Sequence, residues 1–158
     1  MKTPRIGPYL VGIALAIGLM AAVAEMTAPA EPIDFAAMSK PALSNAWLIC
    51  PTGLCDSENA VSPVFALSAA ELRARWDAMI ALQPRVERVR DDPDGLGGTW
   101  VQSTATLGFR DRINVRFIDV PEGGSTLAVF SRSGIGLYDL GVNRRRLEEW
   151  LAALAALV

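Results

Sequence analysis

The sequence predicts an α+β fold of two layers, an antiparallel sheet of about four strands packed against one central helix and a C-terminal helix. Three observations predict it. Segments of twofold apolar alternation follow one another between residues 85 and 133, with turn residues between them. Helical periodicity is confined to one stretch before these segments and one after them, so helices and strands are segregated rather than alternating. The chain of 158 residues is about one domain's worth.

Residues 62–67 read as a short edge strand with Pro63 near its start. Ser68 then opens a helix, because Glu71 stands three residues later in the capping-box pattern. Leu72, Trp76, Met79 and Ile80 fall on one stripe of that helix, Arg73, Arg75 and Asp77 are expected in water, and Pro84 ends it. A strand over 85–90 carries Val86 and Val89 and runs into Asp91-Asp92-Pro93-Asp94-Gly95. These acids lack the loop with a distal Glu that calcium sites use, so a hairpin turn is expected there.

A strand over 99–106 places Trp100, Gln102, Thr104 and Thr106 on one face and Val101, Ser103 and Ala105 on the other, before a break at 107–109. The cleanest alternation is in 111–120, where Ile113, Val115 and Phe117 oppose Arg112, Asn114 and Arg116. Pro121-Glu122-Gly123-Gly124 turns the chain into a strand over 125–133, with Leu127 and Val129 opposite Ala128 and Phe130. Leu147, Trp150, Leu151, Leu154 and Val158 recur at helical spacing in a closing helix over 140–158.

The chain divides into three parts: 1–24, 25–60 and 61–158. Residues 6–24 are 19 uncharged residues behind Lys2 and Arg5, close to the length that crosses a hydrocarbon core. They read either as a single-pass membrane anchor or, since Ala22-Val23-Ala24 has the small-x-small form of a signal-peptidase site, as a cleaved signal. Both readings export everything beyond residue 24, placing the domain on the periplasmic side of an inner membrane or free in the periplasm. Residues 25–44, with Pro29, Pro32 and Pro41, read as an extended tether. Residues 45–60 read as an ordered loop whose Trp47-Leu48-Ile49 docks on the domain. Cys50 and Cys55 flank a Pro-Thr-Gly turn. In an oxidising compartment a small disulfide is the favoured state; the alternatives are two unpaired apolar thiols or a redox dithiol, whose usual Cys-x-x-Cys spacing is not found here.

Composition excludes several classes of function. There is no histidine, so Ser-His and Cys-His nucleophile pairs, the His-Glu-x-x-His zinc helix and imidazole-ligated metal or haem are ruled out, and no cofactor is implied. An enzyme would have to rely on carboxylate or arginine chemistry, with Asp139 the best-placed base. The net charge of −2 advertises no nucleic acid, and beyond residue 24 the balance is 13 basic against 17 acidic residues.

Residues 131–146 depart from ordinary strand-to-helix linkage. Gly134, Gly136 and Gly141 permit positive φ or close backbone approach, Asp139 or Asn143 is placed to cap the coming helix, and Arg144, Arg145 and Arg146 stand in its first turn, where the helix dipole disfavours positive charge. Three resolutions are open. The arginines, with Arg132 and beyond it Arg116 and Arg112 on the sheet, bind an anionic small molecule or lipid headgroup at the helix start. They pair internally with Asp139, Asp111, Asp119 or Glu148. Or they form surface pairs with Glu148 and Glu149.

The run Ser131-Arg132-Ser133-Gly134 through Asp139-Leu140-Gly141-Val142-Asn143-Arg144-Arg145-Arg146-Leu147-Glu148, closing on Trp150, resembles the C-terminal signature of the bacterial domain of unknown function 1499 family. Asn45-Ala46-Trp47-Leu48-Ile49 with Pro51 is similar to that family's opening, with Ser44 where a proline is usual. The resemblance covers about residues 44–155 and matches at Ser131, Arg132, Asp139, Gly141, Asn143, Arg144 and Arg146. It implies an exported or membrane-attached protein and carries no activity, and the cysteine pair is not a fixed part of the pattern. The expectation is a non-enzymatic envelope domain that binds an anion through Arg132, Asp139, Asn143, Arg144, Arg145, Arg146 and Arg116. The alternative is a protein-interaction module in which the Arg/Asp network is structural.

Overall fold

The computed structural model describes residues 32–106 and 108–158. The apolar segment 6–24 and Leu107 lie outside the described residues, and no described helix is long and apolar enough to cross a membrane. After a 3-10 turn at Phe35–Ala37, the elements in chain order are β1 (Ala46–Cys50), β2 (Ala60–Val61), α1 (Ala69–Ile80), β3 (Val86–Asp91), β4 (Gly97–Ser103), β5 (Arg110–Asp119), β6 (Ser125–Arg132) and α2 (Val142–Ala155). They form an α+β fold with one sheet in the order β2-β1-β6-β5-β4-β3. Every neighbouring pair is antiparallel except β1 with β2, which is parallel.

The sheet therefore has six strands rather than about four, and it is mixed. The two extra strands come from the segment read as a cysteine loop. Leu48, Ile49 and Cys50 are all buried because β1 lies inside the sheet with apolar clusters on both faces. Such a strand shows a continuous apolar run instead of alternation. The strand expected over 62–67 is absent; β2 stops at Val61, and Phe65 meets Ser125 through an isolated bridge. Nor is the described part of the tether extended: Phe35 is buried against Leu48, Cys50 and Ala128, and Asp56 N–H donates to the Met38 carbonyl.

Both helices cover one face of the sheet. The capping box forms as read, with the Ser68 hydroxyl accepting from Glu71 N–H and the Glu71 carboxylate accepting from Ser68 N–H, while Asp119 accepts from Ala69 N–H at 2.7 Å. Trp76 is the centre of the core, edge-on to Trp100, Phe117 and Trp150 with centroids 5.9, 6.0 and 5.8 Å away. Ile113, Val115 and Phe117 of β5 and Leu127 and Val129 of β6 pack under the helices as the alternation requires, which turns Arg112, Asn114 and Arg116 to the opposite face.

Arg73 corrects the expectation of a wet flank. Its side chain is buried, stacks on the Trp100 ring and reaches the β3–β4 hairpin, donating to the carbonyls of Gly95 and Gly97 and pairing with Asp77 and Asp91. Burial opposes its charge, yet the bonds to Asp91 and Asp77 outweigh this and hold its pKa above the ordinary arginine value. The acidic turn is thus part of an ion-pair cluster, in which Arg116 also pairs with Asp94 and Arg90 with Asp92.

Candidate functional site

The connection from β6 to α2 is a built loop. A side chain at Gly134 would collide with the Arg110 carbonyl, and Gly136 and Gly141 take φ of 91° and 74°, so all three glycines of this stretch are required by geometry. Leu140 also lies in the left-handed region, at φ 57°. The Asp139 carboxylate accepts from the N–H groups of Gly141 (2.8 Å) and Asn143 (2.9 Å). The anion at the start of α2 is therefore the protein's own.

From there a buried network runs across the domain. The Asn143 side-chain amide donates to the Asn45 carbonyl at 3.0 Å, to Ser133 Oγ at 2.9 Å and to Asp139 at 2.6 Å, and its oxygen accepts from Ser131 Oγ at 2.5 Å. Arg146 completes the network. Its guanidinium donates to Gln102 (2.6 Å), Ser131 Oγ (2.8 Å), Asn143 Oδ1 (2.8 Å) and Asp111 (2.5 Å), with the Arg146 and Asp111 side chains only 6% and 5% exposed. Four elements, β4, β5, β6 and α2, meet on this one planar fork, whose donors diverge in a way an ammonium cannot reproduce.

The remaining arginines divide by position. Arg144 and Arg145 are exposed at the outer side of α2. Arg145 donates to the Leu140 carbonyl at 3.0 Å. Arg144 pairs with Glu148 through Nε at 2.8 Å, a surface pair one turn apart, and lies over the Trp47 ring at 5.2 Å from the centroid. Arg132 and Arg116 lie on the other face of the sheet. Arg132 is at the end of β6 in register with Arg112 and lines a cleft of about 230 Å³ with Pro32, Ile33 and Phe130. Arg116 is remote from both, held by Asp94 and Asp92 beside the β3–β4 hairpin. Its hydrogen bond lowers the Asp94 carboxyl to about 2, and the ion pair raises Arg116 itself. The seven residues singled out in the sequence thus fall in four places: Asp139, Asn143 and Arg146 in the network, Arg144 and Arg145 at the outer side of α2, Arg132 at the far-face cleft and Arg116 at the hairpin.

Arg144 borders a second cleft, of about 290 Å³, between residues 41–47 and the loop before α2. Trp47, Asn59, Ser44, Leu43, Tyr138 and Asp139 are among its lining residues. Trp47, Asn59 and Tyr138 carried no site signal in the sequence, since nothing local shows that β1 passes beneath the first turn of α2. Cys50 and Cys55 are joined in a disulfide, with Cα atoms 6.3 Å apart.

The fold and this loop define a small α+β domain whose two helices share one face of a disulfide-bearing sheet, with a polar lock at the start of its last helix. The chain belongs to the family described as protein of unknown function (DUF1499), whose model matches residues 26–154. No curated protein and no solved structure matches it. The signature residues Ser131, Asp139, Asn143 and Arg146 all belong to the lock, and Gly141 supplies its left-handed turn.

Proposed function

We propose that the protein is a non-enzymatic domain of the bacterial cell envelope that binds an anionic small molecule or lipid headgroup, with Arg144 as the recognition group. The carrying observation is the contrast between two arginines two positions apart. Arg146 is enclosed by four protein acceptors, whereas Arg144 is exposed and pre-oriented over Trp47 at the wall of an open cleft, its hydrogen bond to Glu148 made through Nε. A guanidinium stacked in this way loses little rotamer freedom on meeting a planar or tetrahedral anion. Asn59 and Tyr138 add polar contacts along the same walls. An envelope location is supported by the uncharged stretch 6–24 and by the disulfide, which persists in oxidising compartments.

The test is a thermal-shift series with inorganic phosphate, glycerol phosphate and citrate. At least one should raise the melting temperature of the native chain, and Arg144→Gln should abolish that rise. A rise of the same size in the variant would refute the assignment. The reading as a protein-interaction module is favoured by a different observation, the exposure of Leu137, Tyr138 and Leu140 in the loop before α2; a stoichiometric protein partner crosslinked through that loop would support it.

A further inference from the structure

Resting on the reading of an envelope anion site, we propose that the loop before α2 docks the domain on the surface of an anionic bilayer. Leu137, Tyr138 and Leu140 enter the boundary between headgroups and acyl chains, and Arg144 and Arg145 meet lipid phosphates. These three residues are 74%, 66% and 73% exposed, and half-exposed Leu43 lines the same cleft as Tyr138. A group of large, mostly exposed apolar residues on one short loop marks an interaction surface rather than scattered exposure.

The display is fixed. Asn45 Nδ2 donates to the Gly136 carbonyl at 2.7 Å, Asp139 N–H to the Ser44 carbonyl at 3.3 Å and Arg145 to the Leu140 carbonyl at 3.0 Å. The loop is therefore held where its apolar side chains stay outside. Leu140 sits at φ 57°, a position where Gly or Asn is the unstrained choice. A leucine at that position projects an apolar side chain outward from backbone that penalises it.

Two further observations select a bilayer. Arg144 and Arg145 flank the apolar tips, the arrangement of an interfacial surface that joins apolar insertion to attraction by anionic headgroups, and tyrosine is suited to that depth. The place where the described chain begins also favours this. Pro32 lies with Arg132 in one cleft, and Arg132 is the last residue of β6, two positions before the loop begins at Gly134. Only residues 25–31 separate Pro32 from the uncharged stretch 6–24, a reach of at most about 28 Å. With that stretch in a membrane, the loop end of the domain is held at the same membrane at high effective concentration, so a modest patch is enough to dock it.

The full chain is reconstituted in nanodiscs of phosphatidylcholine alone and of phosphatidylcholine with phosphatidylglycerol, and amide hydrogen exchange of residues 134–141 is followed by mass spectrometry. The expected result is exchange about tenfold slower in the anionic discs, lost in the double variant Leu137→Ser/Leu140→Ser. That variant should still bind inorganic phosphate if the cleft is the anion site, whereas Arg144→Gln should not. Failure of docking and failure of the anion site are thereby read separately. Equal exchange in the two kinds of disc would overturn the proposal. So would protection that survives the serine substitutions, or protection that depends on protein concentration rather than lipid, which would assign the patch to another segment of the chain or to a second copy.

Discussion

Arg146→Ala tests the lock quantitatively. The substitution removes four donated hydrogen bonds and leaves the Asp111 carboxylate, 5% exposed, buried without its counter-ion. Breaking such a pair from one side costs about 3–5 kcal/mol, because the remaining charge keeps its desolvation penalty. In a domain of this size that is a melting temperature lower by about 10–20 °C, a large fraction of a total stability of about 5–15 kcal/mol. The double variant Arg146→Met/Asp111→Leu removes both charges and fills the space, and should recover most of the loss. Arg146→Lys should recover little, since one ammonium cannot reach Gln102, Ser131, Asn143 and Asp111 together. Urea unfolding of the four proteins with intact disulfides is the assay. A loss below about 1 kcal/mol for Arg146→Ala, or a double variant no better than the single, would refute the structural assignment.

Leu140→Gly should stabilise the domain by about 1 kcal/mol, because glycine adopts the left-handed conformation without the β-carbon clash; a lower urea midpoint would contradict it. Replacing Cys50 and Cys55 by serine should cost about 2 kcal/mol, the small loop giving a modest entropic term, read as the difference in unfolding midpoint between the two proteins. Acid should weaken the β3–β4 hairpin. The Asp94 carboxyl is held at about 2 against an ordinary 3.8. It therefore contributes stability that is present above its unfolded value and is lost as pH falls from about 4 through 2. Asp94→Asn should flatten that part of the stability–pH profile, an effect that salt reduces because the group is exposed.

The features legible in the sequence were those written locally. The Ser68–Glu71 capping box, the alternation of Ile113, Val115 and Phe117, and the left-handed turns at Gly136 and Gly141 each depend on neighbours within a few residues, whereas Gly134 is required by the Arg110 carbonyl on β5. The α+β class follows from them. What was not legible depends on sheet order. β1 looks like a docking segment because, buried between β2 and β6, it lacks alternation. Arg73 looks like a wet flank because its acceptors, Gly95 and Gly97, stand on a distant hairpin. For the same reason the arginine cluster read as a single candidate site. Strand alternation sends Arg116 and Arg132 to the far face, and helical geometry sends Arg146 inward and Arg144 outward, a division visible only once Trp47 and Asp111 are in place.

One titration tests that division. The ¹⁵N-labelled chain is titrated with inorganic phosphate while the Trp47 indole signal and the amides of residues 141–145 are followed, for the native protein and for Arg144→Gln. Saturable shifts are expected at these positions, weakened by about 10–100-fold in the variant, with its melting temperature within about 2 °C of native, as for an exposed residue. Saturable shifts of equal affinity in the variant, or shifts centred on Arg146 and Asp111 instead, would contradict it.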